Sequence, residues 1–159
     1  HRIFMLYASL KTVHLLAIIV WLGGMVFAMF FLRPALATLE PSVRLPIMHE
    51  VMRRFANAVV AVSLVALFTG LWMIGNVARA ASEGGGSFTM PLDWKVMSTL
   101  GVLMLLIVGH IRFALFKRCD KAVQAKDWPA AAAVMDKVRT WVLVNLAIGV
   151  FIVGFTLLN

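Results

Sequence analysis

Two histidines stand inside long runs of apolar residues, His14 in Thr12–Leu32 and His110 in Val96–Ile111. An imidazole in hydrocarbon costs several kcal/mol unless it is paired, so both need a reason to be there. At 100° per residue His14 shares a face with Ala17, Trp21, Gly24 and Ala28. The small pair Gly24 and Ala28 permits close helix approach on that face, which aims His14 at a shared interior and makes Trp21 a planar wall beside it. A neutral imidazole there is an axial ligand for the iron of a b-type haem and equally a ligand for copper, and spacing alone does not separate them. Ten methionines keep both readings open. Met25 and Met29, one turn apart, join Met97 and Met104 as thioethers that suit Cu(I) or simply fill gaps.

The remaining polar groups sort by depth. Lys95 and His110 lie fifteen residues apart on one helix, about 22 Å along its axis, too far to serve one small site. Lys95 is expected at the level of His14, and His110 in the opposite half as a second or separate ligand. His49 precedes Arg53 and Arg54 and is expected at the surface or the interface, with metal ligation as its functional alternative. Arg53 and Arg54, with Arg33, form a basic collar that anchors the chain or pairs with the propionates of an anionic porphyrin. The single cysteine, Cys119, excludes a disulfide framework and any cysteine-based zinc or iron–sulfur site. No nucleotide fingerprint, nucleophile elbow or zinc-protease helix is present.

These groups must be held by membrane-spanning helices. Of the 159 residues 62% are apolar and 14% charged, with a mean hydropathy of +0.94, which excludes an ordinary soluble domain. Windows of about 20 apolar residues occur at 12–32, 55–77, 96–116 and 140–158. None alternates like a barrel strand, so the expected fold is all-α: an integral membrane four-helix bundle, up-down-up-down, in one domain over 1–159. Pro34 is expected to close the first helix. Asp127-Trp128-Pro129 reads as an N-cap and first-turn proline that start the fourth helix before the membrane, and Ser82–Ser87 as the flexible loop between helices two and three.

Charge orients the bundle. The connections between helices one and two and between three and four hold eleven of the fifteen Lys and Arg residues, so the positive-inside rule puts both termini on the periplasmic side of a bacterial inner membrane. The net charge of +8 then faces lipid headgroups rather than nucleic acid. His1 in place of an initiating methionine is expected of numbering that starts within a longer or processed chain.

Lys11-x-x-His14, Trp21-Leu22-Gly23-Gly24 and Phe31-Leu32-Arg33-Pro34-Ala35-Leu36 resemble the first helix of the copper-resistance D (CopD) family of inner-membrane proteins. Met52-Arg53-Arg54-Phe55, Thr69-Gly70-Leu71-Trp72 and Asp93-Trp94-Lys95 resemble both that family and the related HemJ-type protoporphyrinogen oxidases. The second likeness implies a functional pair at His14 and Lys95 and a bound b-type haem, as in a haem-dependent membrane oxidoreductase. Arg33-Pro34 reverses the order usual in that group, and CopD is the closer likeness.

Three functions follow as expectations. The first is a bundle that holds haem b or copper through His14 for electron transfer with a quinone or periplasmic partner. The second is a copper permease or delivery protein that uses His14, Met25 and Met29. The third is an accessory subunit that scaffolds a larger complex or a homo-oligomer through its small-residue faces.

Overall fold

The computed structural model describes residues 2–159, apart from the side chain of Ile3; the expectation about His1 lies outside them. Four long helices run up-down-up-down, each long and apolar enough to cross a membrane. Helix α1 comprises Arg2–Phe27, a π-helical turn Ala28–Leu32 and a final turn Arg33–Leu36. Helix α2 is Pro41–Glu83; α3 comprises Leu92–His110, a second π turn Ile111–Leu115, and Phe116–Gln124; α4 is Trp128–Leu158. The chain is a multi-pass membrane protein.

The helices exceed the sequence windows because their ends continue beyond the apolar core. Asp127 caps α4, its carboxylate accepting from Ala130 N at 3.3 Å, with Pro129 in the first turn where a missing N–H costs nothing. Helix α2 persists to Glu83, two residues into the expected loop, and ends through Gly84 and Gly85; Gly85 takes φ 81°, the left-handed region that glycine enters freely.

Pro34 does not close the first helix. A proline supplies no N–H and crowds the carbonyl four residues back. The preceding turn widens, Arg33 N–H donating to Ala28 O five residues away, and the helix continues to Leu36. The turn at Ile111–Leu115 widens likewise, Phe116 N–H donating to Ile111 O, without a proline.

Helix α1 packs chiefly along α2, and α3 along α4; α1 also touches α4, and α2 touches α3, so α1 and α3 occupy opposite corners. The core between them consists of Trp21, Met25, Met52, Leu115, Val138 and their neighbours. Glycines set two of the approaches. A Cβ on Gly24 would enter the ring of Phe55, and one on Gly149 would meet Leu22 and, at 3.1 Å, Met104 Cε. The small-residue face of α1 is therefore the face that meets α2.

Candidate functional site

His14 is half-buried on α1 and turned toward α2. Its Nδ1 lies 2.9 Å from Ala66 O and 3.1 Å from Thr69 Oγ1. A carbonyl can only accept, so Nδ1 carries the proton and Nε2 keeps its lone pair. Thr69 Oγ1 lies 2.7 Å from Val65 O, to which its hydroxyl donates, leaving an oxygen lone pair for the imidazole. Gly70 completes the seat: a Cβ there would stand 3.3 Å from His14 Cε1, so the bare glycine lets the ring lie against the backbone of α2. A ring nitrogen tied to a backbone carbonyl while the other faces away is the arrangement that orients a metal-ligating histidine.

Two turns further in, Trp21 is 3% exposed and lines a cavity of about 30 Å³ with Met25, Met52, Phe55 and Asn145. Trp21 Nε1 and Asn145 Oδ1 are buried there with no hydrogen-bond partner among the described residues. One is a donor and the other an acceptor, and a cavity of this size admits an ion or a water that could meet them. Met29, Met48, Met104 and Met135 are buried as well, whereas the large apolar side chains facing outward are mostly Leu, Val, Ile and Phe. Met25 and Met29 both face the interior, and Met52 joins Met25 at the cavity.

Other expected site residues lie elsewhere. His110 is exposed on the outside of α3, edge-on to Trp141 with ring centroids 5.5 Å apart. It falls about 120° from the buried stripe of Met104, Ile107, Val108 and Ile111, so helical phase turns it outward. Lys95 is exposed at the start of α3, across the bundle from α1, and is not brought to His14. A haem held between His14 and His110 does not fit this chain: the two rings do not face each other, and the cavity beside Trp21 is far too small for a porphyrin.

His49 corrects the opposite way. Rather than lying at the surface it is 9% exposed within α2, its ring 6.0 Å from that of Phe116 and Nε2 3.7 Å from Asp120 Oδ1. The extension of α2 back to Pro41 and of α3 on to Gln124, beyond the apolar windows, brings Phe116 and Asp120 over His49. Among the described residues no three His, Cys, Asp or Glu side chains gather as a metal site, so the methionines are the soft donors the core supplies. Nearby Cys119 is buried, and desolvation beside Asp120 pushes its thiol up to about 11, so it is not a ready thiolate.

The basic collar is internally paired. Arg53 Nη2 and Arg54 Nε each reach Glu50 Oε1 at 2.8 Å, and Arg33 Nη2 reaches Asp136 Oδ1 at 2.8 Å. Glu50 is held down at about 2 by the hydrogen bonds from Arg53 and Arg54. The sequence distance from Arg33 to Asp136 hides that pairing, while Glu50 stands within one turn of both its partners and was a readable signal.

Residues 49–158, more than half of the chain, match a family model described as Copper resistance protein D. The match spans α3, α4 and most of α2, and does not include His14. No curated protein and no solved structure matches the chain.

Proposed function

The chain belongs to the Copper resistance protein D family, and from that premise we propose that it passes copper ions across the bilayer through the bundle interior. The observation that carries this reading is the seat of His14, whose Nδ1 is committed to Ala66 O and Thr69 Oγ1 and whose Nε2 is thereby left as a lone-pair donor. Imidazole nitrogen binds either oxidation state of copper, and thioether sulfur selects Cu(I). Met25 and Met52 border the cavity two turns inward and form the next station. The charge bias places His14 at the periplasmic end, so the ion enters there and meets sulfur ligands toward the cytoplasm. The protein's part is to orient one imidazole, exclude bulk water with Trp21 and Phe55, and offer soft donors at a spacing that allows release.

Flux of Cu(I) into proteoliposomes tests this. Wild-type protein is expected to carry copper, His14→Gln to lose most of the flux, and Met25→Leu with Met52→Leu to slow it while the fold persists. Unchanged flux in both variants contradicts the reading. The HemJ-type likeness and its electron-transfer role predict something else, namely a Soret band on the purified protein that shifts in His14→Gln, and that result would replace transport by redox chemistry.

A further inference from the structure

At the arginine-rich end a second cavity of about 250 Å³ opens between the end of α1, the start of α2 and the first turns of α4. Arg33, Arg44 and Asp136 supply its polar wall, and Leu45, Met48 and Met135 its buried apolar floor. Arg33 is paired with Asp136 at 2.8 Å. Arg44 has only a 3.4 Å contact to Leu39 O, and no carboxylate among the described residues lies within ion-pair distance of it. The cavity thus carries a net positive charge, repels a cation such as copper, and suits an anion that guanidinium can grip through two oxygens. A free anion leaves the apolar floor uncovered, whereas an amphiphile covers it.

We propose that this cavity binds the phosphate of an anionic phospholipid, with Arg44 as its principal contact and the acyl chain entering over Leu45, Met48 and Met135. The charge bias sets this end in the cytoplasmic leaflet, where basic pockets between transmembrane helices meet anionic headgroups. The site is independent of the copper route and does not stand or fall with it.

The test uses the full chain, delipidated in a neutral detergent and then given phosphatidylglycerol, phosphatidylcholine or inorganic phosphate, with native mass spectrometry and the thermal midpoint as readouts. Phosphatidylglycerol is expected to remain bound one per chain and to raise the midpoint, and phosphatidylcholine and inorganic phosphate to do neither. Arg44→Gln should weaken phosphatidylglycerol retention about fivefold, the contribution of one juxtamembrane cation. Lys117→Gln, which removes an exposed cation outside the cavity, should leave it unchanged. Ala37→Leu, at the exposed wall, narrows the cavity while keeping both arginines, and should also weaken retention. Equal effects of both lipids, retention that survives Arg44→Gln and Ala37→Leu, or no retention at all would overturn the site. A midpoint shift from inorganic phosphate as large as that from phosphatidylglycerol would overturn the lipid and leave a free-anion site.

Discussion

The two halves of the bundle are built differently. Every buried residue falls in the arginine-rich half or at the membrane middle, between Ala17 and Met29, Leu45 and Ala66, Met104 and Ala122, and Ala131 and Gly149. The described residues of 2–16, 67–103 and 150–159 include none, although they contain all four helix ends that face the other side. His14 sits on the loose side of that boundary and Trp21 with Met25 on the tight side. A lipid-embedded bundle gains little from hydrophobic transfer between helices and depends on close packing, so the tight half holds the four helices together. The loose half has low local contact density, the condition under which a polar side chain can receive a ligand and segments can open.

Substitutions can break or sharpen this contrast. The largest effect is expected at Leu115, 2% exposed in the tight half. Leu115→Ala should cost about 1–3 kcal/mol in a reversible unfolding assay in micelles, below the soluble-core range of about 2–5 because lipid replaces part of the lost contact. Leu71→Ala, on an exposed position of the loose half, should stay within about 0.5 kcal/mol; equal costs would remove the distinction between halves.

Next comes a pair of adjacent glycines. Gly24→Leu drives a side chain into Phe55, whereas nothing lies within 4 Å of a Cβ on Gly23. The first should destabilise by about 1–3 kcal/mol and the second hardly at all. A reversed order, read from thermal midpoints, would mean that α1 faces α2 by another side.

A smaller effect is expected at Gly70, where an added methyl stands 3.3 Å from the His14 ring. Gly70→Ala should leave stability nearly unchanged and weaken Cu(I) binding a few-fold by tilting the imidazole. Unaltered affinity, measured by competition with a Cu(I) chelator, would show that the seat of His14 does not set its ligand geometry.

The least effect concerns pH. A Glu50 carboxyl held at about 2 in the folded chain, against an ordinary 4.5, stabilises the fold above about pH 4.5 and loses that contribution as pH falls towards 2. Because the Glu50–Arg53–Arg54 group is solvent-exposed, the loss should be slight and reduced by salt. Glu50→Gln should flatten the decline in thermal midpoint across that window; an identical decline would mean that the collar contributes nothing.

Much of the architecture was legible in the sequence because the bilayer imposes length and polarity on each span. The four windows, the inward face of Trp21, Gly24 and Ala28, and the Asp127 cap all follow from periodicity and capping chemistry. The π turns were not legible: at Pro34 a proline ordinarily reads as a stop, and at Ile111–Leu115 no residue type marks the widening. His110 and His49 changed places for one reason. Polarity argues that a histidine in an apolar run must turn inward and one beside charges outward, but helical phase and the reach of neighbouring helices decide. The place of Met52 beside Met25 and the pairing of Arg33 with Asp136 were hidden because tertiary packing brings distant segments together.

The most direct test of the central claim is X-ray absorption on the Cu(I)-loaded protein. The account predicts a first shell of mixed nitrogen and sulfur, with the nitrogen lost in His14→Gln and the sulfur depleted in Met25→Leu with Met52→Leu. A shell unchanged by either substitution would contradict it.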